Sequence, residues 1–189
     1  MKLFIFLDIE GVLVTLASLI NKEQELVECK IKNEARKLAP HAIIQLNRLV
    51  EEFDAYFIIS STWRKIYTLN TLQNIFKEAG FKYPLNIIDV TPILPSGFRG
   101  DEINAWMRIN KSFLSNIKTV KKYVILDDDS DFHGNQKEFH IRTLYMKNKI
   151  IKTGSDGYPI IEQPELLGLT KYKFREIKKL ILGNKGHKL

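Results

Sequence analysis

Leu3-Phe4-Ile5-Phe6-Leu7 is an unbroken apolar run of strand length that stops at Asp8. A strand with no polar face has to be covered on both sides, which is the condition of a central strand in a parallel sheet. The rest of the chain supplies the covering layers. Pro40 opens a helical stripe of Ile43, Leu46, Val50 and Phe53, and Tyr56-Phe57-Ile58-Ile59 follows as a second apolar run. Leu69, Leu72, Ile75, Phe76 and Ala79 repeat the helical spacing, Gly80 closes that helix, and residues 85–90 read as a third strand. A helix carrying Ile103, Trp106 and Met107 precedes a fourth strand at residues 123–126; a last strand is expected at 141–145, and Phe174, Ile177 and Ile181 mark a final amphipathic helix. Residues 154–159 are turn-rich and read as a surface loop or hairpin tip. The alternation predicts an α/β fold of three α/β/α layers around a mostly parallel sheet, with the ligand site at the carboxyl ends of the strands.

Those strand ends carry the polar residues. Asp8-Ile9-Glu10-Gly11 follows the first, Ser60-Ser61-Thr62 the second and Asp127-Asp128-Asp129-Ser130-Asp131 the fourth. In a parallel sheet they share one edge, and carboxylates gathered there cannot all stay ionised unless a cation neutralises them. Oxygen donors with no His or Cys among them point to Mg²⁺ rather than zinc. The competing readings are a solvated acidic loop for the Asp run and a strand end or helix cap for the serines. Trp63 and Trp106 read as packing residues, and His133 and His140, isolated from any paired motif, as structural ones.

Composition narrows the class. A chain of 189 residues favours one domain, and Cys29, the one cysteine, excludes an intramolecular disulfide, which suits a reducing, cytoplasmic setting. Asp8 and Glu10 interrupt the apolar stretches that would otherwise imitate a signal peptide, and no apolar run approaches the roughly 20 residues of a membrane span. The formal net charge of +7 is concentrated late, in Lys171, Lys173, Arg175, Lys178, Lys179, Lys185 and Lys188 against Glu176 alone. Lys171, Arg175 and Lys178 recur at helical spacing, so one helix face is basic: a solvated face, or a contact for phosphate backbones.

Phe6-Leu7-Asp8-Ile9-Glu10-Gly11-Val12-Leu13 resembles the first motif of haloacid dehalogenase (HAD) phosphatases, hydrophobics followed by Asp-x-Asp-Gly. Ile58-Ile59-Ser60-Ser61-Thr62-Trp63-Arg64 resembles the second motif and Val124-Ile125-Leu126-Asp127-Asp128-Asp129-Ser130-Asp131 the fourth. The Ser-Ser-x-Trp-Arg run, Arg99-Gly100-Asp101-Glu102-Ile103, the Asp run and Gly168-Leu169-Thr170 are more narrowly similar to the domain attached to Swiss Army knife RNA repair proteins, over roughly residues 3–182. Residues 1–182 would then be the HAD-like domain, with a minimal or absent cap, and 183–189 a basic, flexible tail.

The resemblance implies that Asp8 attacks phosphorus and forms an aspartyl-phosphate that water hydrolyses. It implies Mg²⁺ held by Asp8, the backbone carbonyl of Glu10, Asp127 and one of Asp128 or Asp131. Ser60, with Ser61, would bind the phosphoryl oxygens, and either Arg99 or Arg64 would offset their charge. Glu10 departs from the family's phosphatase pattern, which has Asp as general acid there. The longer stem leaves three readings: a working variant with a shifted backbone, a slowed form, and a phosphate-binding relic. The interval after the first motif, about residues 14–39, has room only for a short helix or hairpin and not for a large cap, and the implied substrate is a 3′ or 5′ phosphate on an RNA or DNA end. The alternatives are a nucleotidase or other small-molecule phosphatase, and a nonenzymatic module that binds Mg²⁺ and phosphate.

Overall fold

A computed structural model of the chain describes residues 2–20, 29–115, 123–143, 151–153, 159–161 and 167–182. Strand β1 (Leu3–Leu7) is buried at every position, as its apolar run requires. It lies at the centre of a five-stranded sheet with β2 (Ala55–Ile59), β3 (Ile87–Val90), β4 (Tyr123–Asp127) and β5 (His140–Arg142), in the order β3-β2-β1-β4-β5. Every pairing is parallel.

The two-residue period of β1 divides the core between two faces. Leu3, Ile5 and Leu7 join a cluster with Leu46 and Leu49 of α3 (Pro40–Phe53), Leu72, Ile75 and Phe76 of α4 (Leu69–Glu78), and Phe174 and Ile177 of α7 (Lys171–Leu182). Phe4 and Phe6 face the other way, onto Ile103 and Trp106 of α5 (Arg99–Ile109) and Phe132. Helices on both faces make the expected α/β/α layers.

The differences from expectation have local causes. β3 starts at Ile87, because Pro84–Asn86 form a 3₁₀ turn in which proline's fixed φ favours helical geometry over an extended strand. β5 is His140–Arg142, and residues 144–145 of the expected strand lie outside the described residues. The interval after the first motif holds two short helices, α1 (Leu16–Ile20) and α2 (Lys30–Lys37), where one helix or a hairpin was expected. α6 (Lys111–Ser115) follows α5. β6 (Ile151–Thr153) and β7 (Pro159–Ile161) pair antiparallel and flank the expected hairpin tip, whose residues 154–158 lie outside the described set, as does the 183–189 tail. Among the described residues, no helix is long and apolar enough to cross a membrane.

Gly168 ties the start of α7 to the loop after β1. Its φ is +66°, and a Cβ there would lie 2.3 Å from the carbonyl oxygen of Val12, which also accepts a hydrogen bond from Leu169 N at 2.8 Å. Only glycine allows both the left-handed backbone and that approach.

Candidate active site

The sheet ladder continues one residue past the strands. Thr91 N donates to Ile59 O, Ser60 N to Leu7 O, Asp8 N to Leu126 O (each 2.9 Å) and Thr143 N to Asp127 O (3.0 Å). This sets Thr91, Ser60, Asp8, Asp127 and Thr143 in one row along the carboxyl edge, the crevice where open α/β sheets bind ligands.

Asp8, Asp127 and Asp128 each offer a carboxylate oxygen, and these lie within 4.8 Å of one another. Asp8 and Asp127 are buried, Asp128 half-buried. Burial, reinforced by the Asp127 charge, holds the Asp8 carboxyl well above its ordinary range, with Arg99 opposing. Burial likewise pushes Asp127 up to about 6 and raises Asp128. Among the described residues, Asp127 Oδ2 is buried without a hydrogen-bond partner, and so are Ser60 Oγ and Thr91 Oγ1. A buried polar atom without a partner costs about 1–3 kcal/mol, so this edge has a standing electrostatic demand for a cation and for an acceptor at Ser60. Three convergent carboxylate oxygens fit a hard divalent ion.

The loop after β1 is folded to make room. Leu13 N and Val14 N both donate to Ile9 O at 2.8 Å, and Gly11 turns at φ +71°. A Cβ on Gly11 would lie 2.1 Å from Asp128 Cγ, so glycine here lets Asp128 approach the first motif.

Glu10 is held in place by donors from the second motif. Trp63 Nε1 donates to its Oε1 at 2.5 Å, Ser61 Oγ to Oε2 at 2.8 Å and Thr62 Oγ1 to Oε2 at 3.4 Å. Ser61, expected to bind phosphate, therefore spends its hydroxyl on Glu10, whereas Ser60 keeps a free one. Trp63, read from sequence as a packing residue, is buried but also orients Glu10; the adjoining Ser-Ser-x-Trp-Arg run was the available signal.

The two arginines separate cleanly. Arg99 Nη2 is 3.6 Å from Asp8 Oδ1, its Nε 3.6 Å from Asp127 Oδ2, and its Nη1 3.5 Å from Glu102 Oε2. Arg64 was the competitor to Arg99 for the phosphate, and its side chain is engaged elsewhere. Its Nε donates to Thr91 O at 3.1 Å, Nη1 to the carbonyls of Ser60 and Ser61, and Nη2 to Glu102 Oε2 at 2.5 Å. All three nitrogens are engaged inside the protein, where Arg64 braces the second-motif loop. Asp131 is also displaced from its expected role: Oδ2 accepts from Arg99 N at 3.0 Å and its carbonyl from Gly100 N at 3.1 Å, so it caps α5 and fixes Arg99. Asp128 is the third acid of the cluster. His133 bonds Asp101, and His140 the Asp127 carbonyl, both in structural roles.

A family model described as the HAD domain in Swiss Army Knife RNA repair proteins matches residues 4–153. The chain belongs to that family. The match spans all five strands of the main sheet and every residue of the site, and ends before Gly168-Leu169-Thr170. Searches among curated proteins and among solved structures find no match. Membership in this HAD family indicates a phosphatase-type hydrolase, and among the described residues the acidic cluster of Asp8, Asp127 and Asp128 is one that could hold a metal. A larger cavity of about 420 Å³, lined by Lys2, Phe4 and Trp106 among others, adjoins the amino-terminal half of β1 rather than this edge.

Proposed function

We propose that this HAD domain is a Mg²⁺-dependent phosphomonoester hydrolase that works through an aspartyl-phosphate on Asp8 and acts on a 3′ or 5′ phosphate at a nucleic-acid end. The observation that carries the reading is the row itself: a buried carboxylate nucleophile, an unpartnered Ser60 hydroxyl beside it, and Arg99 within 3.6 Å of Asp8. Mg²⁺ held by Asp8, Asp127, Asp128 and the Glu10 carbonyl would supply the positive charge that phosphoryl transfer needs. Asp8 Oδ forms the bond to phosphorus as the ester P–O bond breaks, and Glu10 delivers a proton to the leaving oxygen. Glu10 then takes a proton from water, which attacks the aspartyl-phosphate and releases inorganic phosphate. Ser60 and Arg99 bind and orient the phosphoryl oxygens. The nucleic-acid end is supported by the family to which the chain belongs and by the exposed Lys171, Arg175 and Lys178 on α7.

Phosphate release from 3′- and 5′-phosphorylated oligonucleotides, with Mg²⁺ and with EDTA, tests this directly. Release that needs Mg²⁺ and exceeds that from mononucleotides is expected. Faster release from mononucleotides would make the chain a nucleotidase, and none from either would leave a binding module.

The metal reading has a second test in stability. The unfolded pKa of Asp is near 4, and Asp127 sits at about 6 in the fold, with Asp8 also raised. A raised carboxyl contributes metal-free stability below pH 4 that is lost as pH rises through about 6. Mg²⁺ binds the ionised form and reverses that loss, so it is expected to raise the melting temperature by roughly 5–10 °C at pH 7.5 when near-saturating, and by much less at pH 5. Equal shifts at both pH values would count against binding at these carboxylates.

A further inference from the structure

A cavity of about 330 Å³ opens beside Glu10, with Thr62, Trp63, Ile66, Tyr67 and Lys37 also on its walls. Glu10 is the residue that passes a proton to the leaving oxygen, so whatever that oxygen is attached to must lie on the Glu10 side of Asp8. Glu10 lines this cavity, whose volume is in the range of small-ligand sites.

Its walls are selective. The rings of Trp63 and Tyr67 stand 5.6 Å apart at 59°, forming an open aromatic corner next to the Glu10 carboxylate, and Ile66, 67 % exposed, extends the apolar wall outward. Trp63 is nearly buried and locked by its bond to Glu10, so Tyr67 is the more accessible of the two rings. Tyr67 also lines a second cavity, of about 240 Å³, where Lys30 Nζ lies 5.2 Å from its centroid. Lys30 lines that second cavity and not the Glu10 one, while Glu34, Ile66 and Tyr67 line both. The Lys37 ammonium at the inner cavity is already held by Glu34 at 2.9 Å, so the compartment offers aromatic surface and polar edges rather than a free cation. A planar ring matches such a corner; a bare sugar or alkyl chain does not.

We infer that this cavity is the leaving-group subsite and receives the terminal nucleoside of the substrate, with its base against Tyr67 and Trp63 and its ester oxygen towards Glu10. Tyr67 is then a specificity-determining residue. The inference rests on the phosphatase reading for the placement of Glu10, but it makes a separate claim about binding.

Isothermal titration of the full chain carrying Asp8→Asn, in Mg²⁺, compares adenosine monophosphate (3′ and 5′) with ribose 5-phosphate. The ligands share the phosphate and differ in the base. At least one adenosine monophosphate is expected to bind about tenfold or more tighter than ribose 5-phosphate. Adding Tyr67→Ala is expected to bring that ratio to within about twofold, while Tyr67→Phe, which keeps the ring, retains it. Equal affinity with and without the base, absence of binding by any of them, or a preference that survives Tyr67→Ala would overturn the subsite. Hydrolysis of ribose 5-phosphate and the adenosine monophosphates by the chain with Asp8 intact reads the catalytic proposal apart from this. Base-selective binding supports the subsite whether or not these small ligands are hydrolysed, with turnover then decided by the oligonucleotide assay; hydrolysis without base selectivity supports turnover and sinks the subsite.

Discussion

Asp8→Asn is expected to lower Mg²⁺-dependent phosphate release from a phosphorylated oligonucleotide by at least about a thousandfold, since the amide has no lone pair comparable to a carboxylate oxygen and no step remains to replace the nucleophile. The change is nearly isosteric. The backbone N–H of residue 8 still donates to Leu126 O, so the ladder that aligns the row is kept. The substitution also removes a buried carboxylate that Asp127 repels, at the cost of one partner for Arg99 at 3.6 Å. Metal-free Asp8→Asn should therefore melt no lower than the parent, which separates lost chemistry from lost folding. In Mg²⁺ it should gain less on melting, because one of three convergent oxygens has lost its charge. Retention of activity within about tenfold would rule out Asp8 as the nucleophile, because general acid–base help alone is worth only about 10²–10⁴.

The sheet was legible because β1 has no polar face. An unbroken apolar run between helical stripes admits few arrangements, and once the strands are parallel their ends must share an edge, which brings Asp8, Ser60 and Asp127 together. The assignment of roles within that edge was not legible to the same depth. Ser60 and Ser61 are adjacent and chemically identical in sequence. They differ because Ser60 continues the ladder onto Leu7, leaving its hydroxyl unpartnered, while the chain turns at Ser61 and sends its hydroxyl to Glu10. Asp128 and Asp131 likewise differ by place: Asp131 lies where α5 begins and caps it. The interval after the first motif was read only as one short helix or a hairpin, because on α2 Ala35 is the one buried residue and the others are mostly charged, so no apolar stripe marks it. Glu10, where the family's phosphatases have Asp, left three readings open. With Trp63, Ser61 and Thr62 reaching it, the longer stem fits a seat built for it.

The choice between Arg64 and Arg99 turned on Glu102, a residue noted in the sequence only within the Arg99–Ile103 segment, with no work assigned to it. Glu102→Ala is expected to be among the most damaging single changes to stability in this fold. Its side chain and that of Arg64 are 3 % and 2 % exposed, and the two are joined at 2.5 Å. Burial pulls the Arg64 guanidinium below its ordinary pKa, and the Glu102 charge is the chief opposing force. Removing that carboxylate leaves a cation locked among the carbonyls of Ser60, Ser61 and Thr91, with the Asp8 charge still acting on it but no ion-pair partner in contact among the described residues. Breaking such a buried pair from one side costs about 3–5 kcal/mol. For a chain of this size that is a fall of roughly 6–20 °C in melting temperature. Replacing both partners, as in Arg64→Met with Glu102→Ala, removes the stranded charge, so the double variant should melt above Glu102→Ala; the three carbonyls then lose a donor, and recovery stays incomplete. The same change frees Arg99, which Glu102 holds at 3.5 Å one turn along α5, so surviving folded protein should also bind the phosphate group less tightly. A fall of less than about 3 °C in Glu102→Ala, or a double variant no better than the single, would mean that Arg64 is compensated by something other than this pair.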